Sequence, residues 1–161
     1  MNHSILDVNS EEFEALTRDL LAEGKIVRFR ARGFSMRPFI RNGDLLEVQP
    51  IGDYQVKIGD IILFKSLNNG LLAHRIIKIK VVNDETMYLP QGDSNRHPDL
   101  LISSAQFLGI VVSCKRDQKN FDFTTRAQLV ISRLWVLFSP LLKPLYFFLS
   151  GTKWFRGIRS N

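Results

Sequence analysis

Residue types that could act together in nucleophilic catalysis occur at separate places in this chain. Ser35 is a small polar residue between Phe34 and Met36, in the stretch GFSMRPFIRNGD at residues 33–44. A serine hydroxyl becomes an effective nucleophile when a base accepts its proton and a third group orients that base. The question is therefore whether the remaining sequence supplies a histidine and a carboxylate for Ser35.

The chain has three histidines, and their surroundings differ. His3 lies near the N-terminus, and His97 lies in the turn-like stretch SNRHPD. His74 instead lies in the apolar stretch LLAHRIIKI, where a strand would place it on the same face as Leu72 and Ile76. Burial disfavours the charged imidazolium, so this position suits a neutral general base. A single strand histidine is more often an ordinary core residue, so the prediction needs further groups.

Two carboxylates occur in the loop-like stretch QGDSNRHPD at residues 91–99. Asp93 could simply shape the loop as an Asx-turn residue. Asp99 follows a proline and could reach a neighbouring imidazole and fix its tautomer. Ser35, His74 and Asp99 are thus the candidate nucleophile, base and orienting acid.

The elements that must position these residues are mostly strands. Ser10 or Asn9 could cap an N-terminal helix that ends near Gly24, which gives a first unit at residues 1–24. The alternation in KIVRFRAR, where every second residue is Arg28, Arg30 or Arg32, predicts a half-exposed strand. Further strand-like runs, separated by Gly-Asp, Asn-Asn-Gly and Asn-Asp turns, lie at 44–49, 60–65, 71–82, 86–90 and 107–115. We therefore predict a mainly β, antiparallel domain over residues 25–122.

The C-terminal segment, residues 123–161, has a different composition. It is apolar and compatible with helix, and we expect Pro140 and Pro144 to interrupt it. Its longest charge-free run, residues 134–142, is far shorter than the roughly 20 residues of a spanning helix. We therefore predict amphipathic helices lying in a membrane interface. The alternative is a helical hairpin that covers the sheet or a dimer partner.

Charge is distributed unevenly between these parts. All 16 acidic residues lie within residues 1–122, and six of the 22 Lys and Arg residues lie beyond them, so 16 − 16 = 0 for the body and +6 for the tail. A basic, aromatic tail favours an anionic surface, and residues 126–159 are the predicted contact with a membrane. The lone Cys114 excludes an internal disulfide and a Cys-rich zinc site, and we expect no cofactor or metal.

The order of five short motifs adds a family resemblance. SMRP at 35–38, GDIILF at 59–64, HRII at 74–77, GDSN with a later Asp at 92–99, and LGIVV at 108–112 follow one another. Over residues 30–113 this pattern resembles the type I signal peptidase family of the LexA/signal peptidase superfamily. A histidine after GDIILF, where the common bacterial branch has lysine, is similar to the endoplasmic-reticulum and archaeal branch. The resemblance implies a LexA/signal-peptidase-like antiparallel β domain with an N-terminal helix and a C-terminal apolar helical segment.

The resemblance also assigns roles. It implies Ser35 as nucleophile, His74 as general base and Asp99 as orienting carboxylate, with Asp93 supporting the loop. Met36 and Pro38 would hold the turn of the nucleophile. Gly33 stands where many relatives have a hydroxyl donor, so a second oxyanion donor would be a backbone group or absent. Lys78 and Lys80 are displaced from the base position of the family, and we interpret them as solvated lysines.

We therefore expect a serine endopeptidase that cleaves a leader or maturation site in an extended peptide or protein substrate. By resemblance, small residues would precede the scissile bond at the first and third positions. The alternative is an inactive module that binds a peptide or partner on the same scaffold. The N-terminal 24 residues are too short for a helix-turn-helix domain, and the tail is too apolar to track phosphates, so no nucleic-acid partner is expected. The N-terminus lacks a basic, apolar leader, so we expect a cytoplasmic protein, peripheral at the inner face of the membrane.

Overall fold

Over the described residues, the fold is a single antiparallel sheet of eight strands, with one α-helix before the strands in the sequence and one after them. The computed structural model describes residues 10–67 and 70–154, with residues 141–154 described by their backbone alone. The elements are α1 (Ser10–Ala22), β1 (Val27–Arg30), β2 (Leu45–Gln49), β3 (Ile61–Ser66), β4 (Gly70–Val82), β5 (Glu85–Gln91), β6 (Ile102–Ser103), β7 (Phe107–Arg116), β8 (Lys119–Asp122) and α2 (Arg126–Trp154). The predicted mainly β class, with one helix N-terminal and one helix C-terminal to the strands, is confirmed.

The strands do not follow one another in chain order across the sheet. Their spatial order is β1-β2-β7-β3-β4-β5-β6, and β8 pairs with β7. The long strand β7 therefore links the two halves of the sheet, since it pairs with β2 as well as with β3. This arrangement brings β4 and its histidine towards the middle of the sheet.

The core lies on both faces of β3. Ile61 and Leu63 belong to one buried cluster, which also receives Leu21 from α1. Ile62 and Phe64 belong to a second cluster on the opposite face. Because successive side chains of a strand point to opposite faces, a strand with four consecutive buried residues must be covered on both sides. Burial on both faces therefore explains why the motif GDIILF contains four consecutive apolar residues.

The turns follow the chemistry of their residues. Asn83 and Asp84 form the two-residue connection between β4 and β5, and both have positive φ, at 51° and 62°. Two such residues give the hairpin turn whose twist matches that of the strands, and Asn and Asp tolerate this conformation well. At the other hairpin, β3 and β4 pair from Ser66 and Gly70 onwards, while Asn68 and Asn69 lie outside the described residues.

The helix α1 begins at Ser10, close to the predicted position, while Asn9, the other candidate cap, and His3 lie outside the described residues. Gly24 follows the end of the helix with φ of 79°, a left-handed conformation that glycine adopts without strain. The predicted stop is therefore confirmed. The apolar side of α1 packs on the sheet through Leu21 and through an edge-to-face contact of Phe13 with Phe29.

The interruption predicted at Pro140 and Pro144 is wrong, because α2 runs without a break from Arg126 to Trp154. A proline removes one backbone hydrogen bond from a helix at a loss of about 3 kcal/mol. The leucine-rich turns on both sides continue the helix through both positions. Among the described residues no helix combines the length and apolarity that crossing a membrane requires. Residues 155–161 of the predicted tail lie outside the described residues.

Candidate active site

Ser35, His74 and Asp99 come together in three dimensions although they are far apart in the sequence. The Oγ atom of Ser35 lies 2.9 Å from Nε2 of His74. On the other side of the ring, Nδ1 of His74 lies 2.6 Å from Oδ2 of Asp99. A carboxylate can only accept, so the arrangement fits the neutral imidazole that carries its proton on Nδ1 and accepts from Ser35 at Nε2. This is the geometry of a nucleophile, a base and an orienting acid.

Strand β4 fixes the position of the imidazole. His74 pairs with Ile62 across the ladder with β3, and its side chain is only 4% exposed. The ring also lies at an angle beside Phe64, with 6.3 Å between the ring centroids. A ring enclosed in this way has few alternative rotamers, so both nitrogens stay aimed at their partners.

A buried side chain and an ion pair hold the turn that carries Ser35. Met36 is buried in the first core cluster, directly after the serine. At the end of the same turn, Asp44 accepts hydrogen bonds from the guanidinium of Arg116 at 2.9 and 2.7 Å and from the backbone N–H of Arg41 at 2.8 Å. Arg116 also donates to the carbonyl of Phe39 at 3.0 Å. The turn is thus anchored on β7 and cannot shift independently of the sheet.

The loop that carries Asp99 packs directly on this turn. The backbone N–H of Ser94 donates to the carbonyl of Ser35 at 2.7 Å, and its hydroxyl donates to the carbonyl of Phe34 at 2.7 Å. A Cβ atom on Gly92 would lie 2.8 Å from the same Ser35 carbonyl, so only glycine allows the two segments to approach this closely. At the far end of the loop, the N–H of Asp99 donates to the carbonyl of Pro90 at 2.9 Å.

A buried ion pair joins this loop to β4. Arg75 is fully buried and donates from Nε and Nη2 to the two carboxylate oxygens of Asp93, each at 2.8 Å. Its Nη1 donates to the carbonyl of Gly59 and to the hydroxyl of Ser132 on α2, also at 2.8 Å each. Two parallel hydrogen bonds fix the relative orientation of both groups, which a single contact would not do. Because Arg75 is adjacent to His74, this pair ties the Asp99 loop to the strand of the imidazole.

The other residues predicted for the site differ in their surroundings. Asp93, predicted to support the loop, does so through Arg75. Gly33 has φ of 96° and donates its N–H to the side-chain oxygen of Asn42 at 3.0 Å. Pro38 lies in the same turn as Ser35 and is solvent-exposed, unlike the buried Met36. The other residues that could have served as a base, His97, Lys78 and Lys80, are solvent-exposed. For the two lysines this exposure was predicted.

Two residues of this assembly were missed by sequence reasoning. Arg75 was given no role in the sequence analysis, and Ser132 was treated as part of an apolar tail. The position of Arg75 among apolar residues of a predicted strand could have indicated that its side chain is buried. A buried arginine requires a carboxylate partner, and Asp93 was the nearest uncommitted acid in the motif.

A cavity opens beside Ser35 and His74. Its volume is about 470 Å³, and apolar side chains that include Met36, Leu63 and Leu71 line much of it. Two stretches of the chain border it, residues 29–33 at the end of β1 and just beyond it, and residues 70–74 of β4. Within the described sheet, β1 pairs only with β2, and β4 pairs with β5 only from Arg75 onwards. Both borders therefore present strand edges that could accept an extended peptide.

The electrostatic surroundings of Cys114, the only cysteine, make its thiol a poor nucleophile. Burial, together with the nearby carboxylate of Asp44, raises the pKa of Cys114 to about 11, so the thiol is not ionised near neutral pH. Burial also acts to raise the pKa of Asp44, but the hydrogen bonds from Arg116 and from the N–H of Arg41 outweigh it and leave the pKa below its ordinary value. Among the described residues no group of three or more His, Cys, Asp or Glu side chains could hold a metal ion.

Comparisons with protein-family models, with curated proteins and with solved structures gave no match to this chain. Function must therefore be inferred from the residues of the site and their geometry.

Proposed function

We propose that this protein is a serine endopeptidase in which Ser35 is the nucleophile, His74 the general base and Asp99 the orienting carboxylate. The observation that carries the proposal is the continuous hydrogen-bonded line from the Ser35 hydroxyl through the imidazole to the Asp99 carboxylate, with 2.9 and 2.6 Å between the paired atoms. Both distances are within hydrogen-bond reach, so proton transfer needs no rearrangement of the site. The depth of burial of His74 is a further support, because it keeps water away from the ring.

The chemistry would proceed in two halves. As Oγ of Ser35 attacks the scissile carbonyl carbon, Nε2 of His74 accepts the hydroxyl proton, and the carbonyl electron pair moves to the oxygen. The imidazolium is stabilised by Asp99 and then donates its proton to the leaving amine as the C–N bond breaks. Water next attacks the acyl-enzyme, giving one proton to His74, and the ester bond to Ser35 breaks with return of that proton to Oγ. The backbone N–H of Ser35 is the candidate donor to the oxyanion.

The cavity and the two open strand edges support a peptide substrate. An extended segment lying between residues 29–33 and 70–74 would form main-chain hydrogen bonds and point alternate side chains into the apolar cavity. Small residues line it close to the catalytic pair, namely Gly33, Ala31 and Ala73. A substrate strand held beside Ser35 in this way would present its carbonyl to the hydroxyl. The proposed substrate is therefore a leader or maturation site with small residues at the first and third positions before the cut.

The scaffold is proposed to be of the signal-peptidase type, in the branch that uses a histidine base. The motif order supports this assignment, together with the contacts that join the SMRP turn and the GDSN loop to HRII on strand β4 of the antiparallel sheet. The motif GDIILF supplies most of strand β3, which is buried on both faces and pairs with β4 along one edge. The bidentate Arg75–Asp93 pair then explains why HRII and GDSN occur as a set.

Peripheral association with the inner face of a membrane is proposed for α2. Its exposed apolar residues recur at the spacing of one helical face: Val130, Ile131, Leu134, Leu137 and Phe138. Arg126 and Arg133 lie along one flank of that face, and residues 123–161 contain no acid. The opposite side carries the buried Ser132 and Ser139 and packs on the body. An apolar face flanked by cations suits an anionic lipid surface.

The proposed activity is tested by incubating the purified protein with peptides that contain Ala-x-Ala leader sites and mapping the products by mass spectrometry. We expect a single cut after the second alanine in the wild type, and loss of cleavage in Ser35→Ala and His74→Ala. Ser104→Ala is a matched control, since Ser104 lies in the short 3₁₀ turn before β7. Cleavage that persists in both site variants would refute the assignment. Tight peptide binding without cleavage would instead favour the inactive binding module.

A further inference from the structure

The ionised side chains that line the cavity beside Ser35 are all positively charged. Of the described residues that line it, Arg30 and Arg32 are the only ones with an ionised side chain, and no Asp or Glu is among them. Both arginines are exposed, and neither forms an ion pair with another described residue. Asp99 is separated from this cavity by the imidazole to which it bonds. A ligand in the cavity therefore meets apolar walls and a cationic rim.

Arg30 and Arg32 lie on the outward face of residues 29–33, the stretch that borders the cavity next to β1. Along residues 27–32 burial alternates, with Val27, Phe29 and Ala31 turned inwards and the intervening arginines outwards. The guanidinium of Arg30 is held in place by a hydrogen bond to the carbonyl of Gly43 at 2.9 Å and retains further N–H groups for a carboxylate. A peptide strand beside this border would follow the same alternation, so every second side chain would face the arginines.

We propose that this site selects substrates with acidic residues at alternate positions before the scissile bond, a specificity that rests on the proposed peptidase function. Small side chains at the first and third positions enter the apolar cavity. The second and fourth side chains of an extended strand then point to the opposite side, where Arg30 and Arg32 lie. Glu or Asp at those two positions pairs with the arginines, whereas Lys is repelled. The substrate class is thus a small-residue leader with an acidic second and fourth position.

The test compares three peptides that share alanine at the first and third positions and carry Glu, Gln or Lys at the second and fourth. We expect kcat/KM for the Glu peptide to exceed that for the Gln peptide about five- to tenfold at low salt, as two exposed ion pairs allow, and the Lys peptide to be the poorest. Half-molar salt should remove most of the difference. The double variant Arg30→Gln, Arg32→Gln should cleave the Glu and Gln peptides at equal rates.

Arg28→Gln is the matched control. Arg28 lies on the same face of β1 but is paired with Glu47 at 2.7 Å and does not line the cavity, so this variant should keep the full Glu preference. Equal cleavage of the Glu and Gln peptides by the wild type would overturn the specificity and leave the peptidase intact. If no peptide is cleaved, fluorescence anisotropy with the Ser35→Ala variant decides separately. About fivefold tighter binding of the Glu peptide supports the inference, and equal or undetectable binding overturns it.

Discussion

At the scale of single residues, the site consists of one imidazole with a different partner on each nitrogen. The carboxylate of Asp99 bonds at Nδ1 and leaves Nε2 as an acceptor for the Ser35 hydroxyl. In the proposed mechanism Asp99 selects this tautomer, which an amide in its place would not do reliably. The proposal therefore gives the carboxylate an effect on rate that is separate from any effect on the fold.

The substitution Asp99→Asn isolates that effect. The amide has nearly the same volume, so the fold should persist, but it can donate to Nδ1 and thereby leave the proton on Nε2. We expect kcat to fall on the order of 10⁴-fold with KM little changed, as for an orienting carboxylate in a triad. Steady-state kinetics measure the loss, and circular dichroism checks the fold. A loss of less than about tenfold would show that Asp99 does not orient the base.

The sequence predicted Ser35, His74 and Asp99 as a set because their residue types suit one reaction and because the order of the motifs that carry them resembles that of a known family. It did not predict the partner of Arg75, because the strand alternation that placed this side chain opposite His74 says nothing about what lies on that side. Burying a guanidinium requires a paired carboxylate, but which acid reaches it depends on the path of the loop at residues 92–99. That path is set by contacts such as the one between Ser94 and the Ser35 carbonyl, which involve residues distant in the chain.

At the scale of elements, the turn that carries Ser35 depends on an ion pair with β7. Asp44 is 4% exposed and receives two hydrogen bonds from Arg116. The pKa of Asp44 is lowered from its ordinary value of 3.8, against the effect of burial, by those bonds and by the N–H of Arg41. A lowered pKa in the folded state means that the carboxylate stabilises the fold above pH 3.8. This contribution is lost as the pH falls through the lower, folded-state pKa.

The variant Asp44→Asn should therefore be destabilised in a pH-dependent way. At pH 7 we expect a loss of about 2–3 kcal/mol in the free energy of unfolding, since a charged, mostly buried partner of Arg116 is removed. The difference from the wild type should shrink as the pH is lowered through the folded-state pKa of Asp44. Urea denaturation at a series of pH values measures both. The exposed Asp53→Asn is the control and should change stability by less than about 0.5 kcal/mol. A pH-independent difference would contradict the account.

Most strands were predictable from the sequence because their apolar, β-branched runs are long and end in turn residues. The strands β6 and β8 were not predicted, since the first has only two residues and the second, KNFD, is too polar to show a pattern. The prolines of α2 were misjudged for a different reason. Local propensity assigns a penalty to each proline, but the outcome depends on whether the surrounding turns and their packing outweigh it.

At the scale of the whole molecule, α2 connects the candidate site to an exposed apolar surface. Ser132 accepts a hydrogen bond from Arg75, and Trp135 packs edge-to-face on Phe39 with 5.2 Å between the ring centroids. The other side of the helix exposes Leu134 and Leu137, which are 47% and 67% exposed. The same helix thus contacts Arg75, which supports the Asp99 loop, on one side and has the apolar face that is proposed to bind lipid on the other.

Sedimentation with lipid vesicles tests this surface. We expect the wild type to bind vesicles rich in phosphatidylglycerol and to bind zwitterionic vesicles weakly. The double variant Leu134→Asp, Leu137→Asp should bind about tenfold less, because it places charge in the apolar face. The control Leu67→Asp, Val81→Asp adds the same charge at exposed apolar positions outside α2 and should bind like the wild type. Unchanged binding by the α2 variant, or a dimer that only this variant disrupts, would contradict the membrane proposal.

The most direct test of the central claim is the reactivity of Ser35 towards a fluorophosphonate, which labels a serine whose proton is taken by a nearby base. Intact-protein mass spectrometry should show one adduct on the wild type, located at Ser35 by fragmentation. The His74→Gln variant should react at least about 10²-fold more slowly, because the proton acceptor is lost. A folded wild type that remains unlabelled, or equal labelling rates in both proteins, would contradict the catalytic role of the cluster.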